Sequence, residues 1–209
     1  MTLVVAIDGP AAAGKGTLAR RLAAGLGLAY LDTGLLYRAV GRRMLDAGLA
    51  PSDPVAAEAA ARALTPADLA RTDLRGAEAD RASSLVAKVP GVRAALLAFQ
   101  RGFASQGAVL DGRDIGTVVV PGAQVKLFVT ADLAARAHRR WLELRARGVA
   151  TPLTQVEAEL RARDVQDAAR QAAPLVAASD AIILDTTLLD ADAVFAAAME
   201  IVRGRSSFA

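Results

Sequence analysis

The sequence predicts a doubly wound α/β protein with a five-stranded parallel sheet, and three observations predict it. Five short apolar runs alternate with stretches of helical periodicity. The runs are continuously apolar, as in strands that are buried on both faces of a parallel sheet. Each run ends in polar residues, and ligands of such sheets bind at the carboxyl ends of the strands. With 209 residues, of which 54% are hydrophobic, the chain can bury a full core as a single domain spanning residues 1–209.

The elements follow in order. The predicted strands are residues 3–7, 28–31, 108–110, 125–129 and 181–184. A helical pattern follows most of them: one through Leu18, Leu22 and Leu26, and others over about 37–45, 133–147 and up to about 202.

Two regions depart from this alternation of strand and helix. Residues 41–90 are alanine-rich and helical in pattern, with breaks at Pro51, Pro54, Pro66 and Gly76, and we interpret them as an inserted helical subdomain. Residues 145–158 contain Gly148 and Pro152 between two arginine-rich helical stretches, and we interpret them as a short mobile lid.

The composition excludes several classes of function. The absence of cysteine excludes disulfides, thiolate nucleophiles and cysteine zinc sites, and a single histidine leaves little for a metal centre or a catalytic triad. The net charge of +3 comes from no basic tail, and 4% aromatic residues offer few stacking surfaces for nucleic acid. No apolar run reaches about 20 residues, so we expect no membrane span, no signal peptide and a cytoplasmic location.

A phosphate-binding loop follows the first strand. Its residues are Gly9, Pro10, Ala11, Ala12, Ala13, Gly14, Lys15, Gly16 and Thr17. Small residues let backbone N–H groups turn inward around phosphates, the following helix adds the positive end of its dipole, and Lys15 reaches the β- and γ-phosphates. The usual hydroxyl after the lysine comes one step later, at Thr17, which leaves its contact with magnesium open. Binding of a nucleoside triphosphate is the secure inference.

The loop and four later segments resemble the bacterial cytidylate kinase family, within the nucleoside monophosphate kinases. The glycine between lysine and threonine is similar to that group, and the match runs over most of the chain. The segments are residues 32–38, Ser84 with 90–93, 111–119 and 163–175, of which Asp111-Gly112-Arg113-Asp114 is the most specific. The resemblance implies a three-layer P-loop kinase fold, a monophosphate-binding insert at 41–90, and transfer of the γ-phosphoryl group of ATP, with Mg²⁺, to CMP or dCMP. Many relatives carry a β-hairpin in the insert, whereas residues 56–84 show no alternating strand pair, so we expect a shortened insert.

The resemblance also implies roles for individual residues. The acceptor site takes Thr33, Arg38, Ser84, Arg93, Arg113, Asp114, Arg163, Asp167 and Arg170, with Lys15, Arg113 and Arg170 catalytic. Asp114 and Ser84 would take the amino group of cytosine and Arg93 its acceptors, since the amino donor of cytosine suits a carboxylate and its acceptors suit a guanidinium. Arg38, Arg113 and Arg170 would bind the acceptor phosphate. Arg163 and Asp167 would bind the sugar; their spacing with Arg170 independently places the three on one helix face.

Several alternatives remain open. Arg136 and Arg139 are predicted to contact ATP, but a solvated basic helix face explains them equally well. Asp32 and Asp111 suit helix capping or turn formation about as well as ligand contact. For the whole protein, the alternatives are another P-loop kinase acting on UMP, AMP or a metabolite hydroxyl, and a nucleotide-dependent regulator. We expect a monomer that binds neither nucleic acid nor membrane.

Overall fold

A computed structural model describes residues 2–169 and 173–206. Their strands are β1 (Val4–Asp8), β2 (Ala29–Asp32), β3 (Ala108–Asp111), β4 (Val125–Thr130) and β5 (Ile182–Asp185). Their helices are α1 (Lys15–Leu26), α2 (Thr33–Asp46), α3 (Pro54–Arg62), α4 (Pro66–Leu69), α5 (Ala77–Val86), α6 (Pro90–Ala104), α7 (Leu133–Ala146), α8 (Leu153–Ala168) and α9 (Ala191–Ser206). A single π-helical turn covers Ile115–Val119.

The five strands form one sheet in the order β2-β3-β1-β4-β5. Strand β1 pairs in parallel with β3 and β4, and β4 pairs in parallel with β5, so the predicted fold class is confirmed. All five strands end one residue later than the apolar runs, because backbone pairing continues through polar residues such as Asp8 and Asp185. The carboxyl ends of the strands therefore carry polar side chains, an aspartate on every strand but β4.

Contacts divide the chain into two compact units. Unit 1 comprises residues 1–30 and 104–209, and unit 2 comprises residues 31–103. The core of unit 1 includes the buried side chains of Val5 and Ile7 from β1 and Leu127 from β4. Helix α1 packs on them through Leu18 and Leu22, and α9 packs on the same core. It fixes the direction of β1 and the start of α1, the two elements that flank the phosphate loop.

Residues 33–103 of unit 2 form five helices joined by loops, and local capping sets the starts of several of them. The Asp32 carboxylate accepts a hydrogen bond from the Leu35 N–H at the start of α2, which supports the capping interpretation of this residue. Asp53 caps α3 in the same way, directly before Pro54. Residues 56–84, for which the sequence shows no alternating strand pair, lie within α3, α4, α5 and their connections.

Among the residues that the structure describes, no single helix has both the length and the apolar character of a membrane span. Helices α5 and α6 meet those two criteria only as a pair bent by 98°, on length and composition alone.

Close packing of α2 on α5 gives a first testable prediction. A Cβ atom added at Gly41 would lie 2.8 Å from the Ala82 Cβ, closer than side chains pack. Gly41→Ala is therefore expected to lower the free energy of unfolding by about 2 kcal/mol through overpacking. Chemical denaturation measures the change.

Gly102→Ala in α6 is the matched control for Gly41→Ala. No atom of the described residues lies within 4 Å of the Cβ atom that Gly102→Ala would add. The helix propensity of alanine should then leave stability unchanged or raise it by up to about 1 kcal/mol. Equal effects of the two substitutions would contradict the packing argument.

Candidate active site

The phosphate loop of unit 1 adopts the strained backbone that an anion-binding loop needs. Gly9 and Gly14 have φ of +143° and +91°, and Ala12 has φ of +61°, a region that costs a residue with a side chain about 1–2 kcal/mol. At Gly9 any side chain is excluded, because a Cβ atom would overlap the Val129 carbonyl oxygen. A loop held in left-handed steps turns successive N–H groups to one side.

Carbonyl groups of the phosphate loop accept hydrogen bonds from side chains of the protein itself. Lys15 Nζ donates to the Pro10 carbonyl at 2.6 Å, Arg136 donates to the Ala11 carbonyl at 3.3 Å, and the Thr186 hydroxyl donates to the Ala13 carbonyl at 3.2 Å. Because the carbonyl groups of Pro10, Ala11 and Ala13 already accept hydrogen bonds, the loop offers mainly N–H donors to a ligand.

Helix α1 begins differently from its neighbour α7. Asp132 caps α7 by accepting from the Ala135 N–H, whereas within the described residues no side chain caps α1, which starts after Gly14. The first N–H groups of α1 thus retain their capacity to bind an anion.

Lys15 is the charged group of this loop. It is 6% exposed. Burial lowers the pKa of Lys15, and the nearby Arg113 guanidinium adds to this effect, while Asp111 and Asp8 oppose it. An anion in the loop would reverse that balance and hold the lysine charged. Thr17, by contrast, is exposed.

The Asp111 carboxylate lies beside the loop. A Cβ atom added at Gly16 would lie 3.4 Å from Asp111 Oδ2 and 3.7 Å from the Tyr30 hydroxyl, which itself donates to Asp111 Oδ1 at 3.2 Å. The carboxylate of Asp111 thus lies next to the position after the lysine, within ordinary van der Waals distance of any side chain placed there. In the described part of the chain no three Asp, Glu or His side chains are arranged to hold a metal ion among themselves.

The two arginines of α7 that were predicted to contact ATP support the loop. Arg136 is buried and makes two hydrogen bonds with Asp164, at 2.7 and 3.1 Å, besides its contact with the loop. Arg139 donates to the hydroxyl and the carbonyl group of Thr186. Their contact with ATP stays a prediction, and the described partners give both a role in positioning the loop.

Of the residues predicted to bind the acceptor, those in unit 1 are centred on Arg113. Its Nε donates to Asp167 Oδ2 at 2.7 Å, and Asp167 is only 1% exposed. Asp114, the next residue, is buried as well, and Arg163 is half-buried on α8. The structure thus brings together Arg113 and Asp167, which are 54 residues apart in sequence. Arg170 lies outside the described residues.

Of the residues predicted to bind the acceptor in unit 2, Arg38 and Ser84 are connected through Asp80, which sequence reasoning missed. Arg38 Nε donates to the Asp80 carboxylate at 3.1 Å, and the Ser84 hydroxyl donates to the Asp80 carbonyl at 3.0 Å. The Arg93 guanidinium lies 6.0 Å from the centre of the Tyr37 ring. Thr33 is buried at the start of α2. Asp80 precedes Ser84 by one helical turn, and that spacing is the signal that could have identified it.

Comparison with known proteins decides the family. The family model for cytidylate kinase matches residues 5–204. The chain is 63% identical to the cytidylate kinase of Granulibacter bethesdensis over 204 residues, with 97% of this chain and 98% of the other covered. It is 61% identical to that of Paramagnetospirillum magneticum over 207 residues, with 97% and 98% covered.

The chain belongs to the cytidylate kinase family. It is a phosphotransferase that transfers the γ-phosphoryl group of ATP to CMP or dCMP, as the resemblance implied, and the alternative acceptors are not favoured.

Solved structures agree with the fold of this cytidylate kinase. TT1252 from Thermus thermophilus has a TM-score of 0.52 at 21% identity, with 97% of each chain covered. An uncharacterized protein from Eubacterium ventriosum has a TM-score of 0.57 at 13% identity, with 99% of each chain covered. At these identities the likeness concerns the fold alone.

Proposed function

We propose that the phosphate loop binds the triphosphate of ATP and that two groups of acceptor residues bind CMP or dCMP. The observation that supports the donor half is the loop itself, with its carbonyl groups bound, its left-handed steps and the uncapped start of α1. Lys15 would leave the Pro10 carbonyl for the β- and γ-phosphates.

Magnesium enters as part of the substrate, MgATP, where it neutralises charge on the β- and γ-phosphate oxygens. The oxygen donors next to the loop suit this hard cation: the carboxylate of Asp111 and the hydroxyl of Thr17. We propose that these two groups hold it on the protein side.

For the acceptor phosphate we propose Arg38, Arg113 and Arg170. A planar guanidinium binds two phosphate oxygens at once, which fixes both position and orientation. Arg113 would exchange its contact with Asp167 for the phosphate, and Asp167 would then be available, with Arg163, to the sugar hydroxyls. Ser84 and Asp114 would accept from the cytosine amino group, and Arg93 would donate to the acceptors of the base.

The chemical step requires little beyond positioning. The attacking atom is an oxygen of the CMP phosphate, which is already ionised at neutral pH, so no general base has to remove a proton. It bonds to the γ-phosphorus as the bond to the β-phosphate oxygen breaks, and ADP leaves. Negative charge spreads over the transferring group, and Lys15 and the arginines stabilise it.

The acceptor is tested by measuring ADP formation with CMP, dCMP, UMP and AMP. Uracil places a carbonyl where cytosine has its amino donor, so the Asp114 carboxylate would lose a bond and meet a lone pair. Asp114→Asn is therefore expected to reduce the preference for CMP over UMP about tenfold, the effect of one unpaired buried group. An unchanged ratio would place recognition of the base elsewhere.

Asp132→Asn is the matched control for Asp114→Asn. Asp132 also follows a strand of the sheet, but it caps α7, where asparagine serves as well. The CMP-to-UMP ratio of this variant should equal that of the wild type.

We also propose that the insert at 41–90 binds the monophosphate, that the segment 145–158 acts as a lid, and that the enzyme works as a cytoplasmic monomer without nucleic acid or membrane partners. Gel filtration combined with light scattering tests the monomer. A regulator without turnover would bind ATP and CMP yet form no ADP in the acceptor assay.

A further inference from the structure

Asp8, the last residue of β1, carries a buried carboxylate to which the proposed reaction assigns no role. It is 5% exposed, and each of its oxygens accepts one backbone hydrogen bond. The Ile115 N–H donates to Oδ1 and the Gly116 N–H donates to Oδ2, both at 2.8 Å. A carboxylate that accepts two successive N–H groups fixes the backbone that carries them.

Those two N–H groups open the π-helical turn that follows the segment with Arg113 and Asp114. They have no partner one turn earlier in the helix, so the carboxylate acts as the cap of this turn. A π-helical turn is rare and depends on its surroundings to persist.

The end of β1 also anchors the N-terminal side of the segment with Arg113 and Asp114. Pairing of β1 with β3 ends at Ile7 and Asp111, and the Gly112 N–H then donates to the Ile7 carbonyl at 2.9 Å. Arg113 and Asp114 are therefore the two residues between consecutive anchors, both of which come from the end of β1.

Asp8 is followed at once by Gly9, the first residue of the phosphate loop. The end of β1 thus fixes the position of the phosphate loop relative to the segment with Arg113 and Asp114. In-line transfer depends on the distance between these two segments, because a displacement of about 1 Å can cost on the order of 10²-fold in rate.

We propose that Asp8 is a positioning residue of the kinase reaction, whose carboxylate holds the π-helical turn so that Arg113 and Asp114 face the acceptor nucleotide. This inference rests on the proposed acceptor roles of those two residues.

Stability alone does not explain the carboxylate. Burial raises the pKa of Asp8 to about 6, with the nearby Asp114 adding to the effect and Lys15 opposing it. The folded chain therefore binds this proton more tightly than the unfolded chain, and the charged form lowers stability at neutral pH. A charge that the fold holds at a cost is consistent with a role in function.

The test is Asp8→Asn, which keeps the shape and one acceptor but presents an amide N–H₂ to the second N–H. We expect the KM for CMP to rise about tenfold while the KM for ATP stays within about twofold, since on the acceptor side one of the two hydrogen bonds is lost and the other loses its charge assistance. The melting temperature at pH 7 should stay close to that of the wild type. Equal changes in both KM values, no change in either, or a KM effect that tracks a lower melting temperature would overturn the proposal.

A double substitution tests whether Asp8 acts through its neighbour. In the Asp114→Asn background, Asp8→Asn should raise the KM for CMP by less than it does in the wild type, because the positioned group is already impaired. Full additivity would overturn the proposal. The single variants Asp114→Asn and Arg113→Lys distinguish a failure of the proposed function from a failure of this inference. If they leave the kinetics with CMP unchanged, the acceptor roles of Arg113 and Asp114 are wrong. If only Asp8→Asn leaves the kinetics unchanged, the positioning role of Asp8 alone is wrong.

Gly116→Ala provides a second variant should Asp8→Asn not fold. Its added Cβ atom would lie 3.1 Å from Lys126 Cδ and 3.3 Å from Lys126 Cγ, a tight approach that displaces the π-helical turn or the Lys126 side chain, and 3.4 Å from Asp8 Oδ2. A selective rise in the KM for CMP is expected again, and a silent substitution would count against the proposal.

Discussion

Lys15→Ala should reduce kcat for CMP phosphorylation about 10³-fold or more, the effect of removing a preorganised donor to the transferring group. Lys15 is buried within the phosphate loop, and its ammonium group is bound to the Pro10 carbonyl. Because burial already disfavours its charge, the fold gains little from the ammonium group, and the variant should remain folded. Steady-state ADP formation, together with circular dichroism, measures both expectations.

Lys88→Ala is the matched control for Lys15→Ala. Lys88 is exposed in unit 2, and although it lies within the insert at 41–90, it is not one of the side chains proposed to contact CMP or ATP. Its kcat should stay within about twofold of the wild type, as is usual for exposed side chains away from a site. Substantial turnover of a folded Lys15→Ala variant would mean that the phosphate loop has been misinterpreted.

Arg113→Lys should lower kcat/KM for CMP by about 10²-fold, although the charge is kept. A lysine ammonium binds one phosphate oxygen as a point charge, whereas the guanidinium binds two in a fixed geometry. The substitution also removes the hydrogen bond that the Arg113 Nε–H donates to Asp167, whose side chain is almost fully buried. The kinetics with varied CMP at saturating ATP measure the loss, and the KM for ATP should change little.

Arg161→Lys is the control for Arg113→Lys. Arg161 lies on α8, and its side chain is 68% exposed and paired with Glu157 at 2.9 Å. An exposed pair of this kind contributes at most about 1 kcal/mol, so CMP kinetics should be unaffected. If both arginine variants behave alike, Arg113 does not bind the acceptor phosphate.

The fold could be predicted from the sequence because the patterns that indicate its strands and helices are local. Continuous apolar runs mark strands buried on both faces, and the structure places all five of them within one residue of the predicted bounds at each end. The start of α1 at Lys15 was predicted in the same way, since a glycine-rich loop after a buried strand leaves few other conformations.

The contacts that sequence reasoning missed are long-range and join residues of different segments. From the sequence, Asp8 had no role beyond that of a polar residue after the first apolar run, although its side chain accepts from N–H groups more than 100 positions away. The π-helical turn has no distinctive periodicity in five residues. Residue type and spacing identified Arg136 as a candidate contact of ATP or part of a solvated basic face, but only the fold shows that its guanidinium binds the Ala11 carbonyl and Asp164.

The open start of α1 has a thermodynamic consequence. Several other helices begin on a side chain that satisfies their first N–H groups, whereas α1 begins on Gly14 without one. A bound triphosphate would supply those missing acceptors, and any ligand that binds only the folded state raises stability by RT ln(1 + [L]/Kd). The resistance of this enzyme to heat should therefore rise and fall with the nucleotide supply around it.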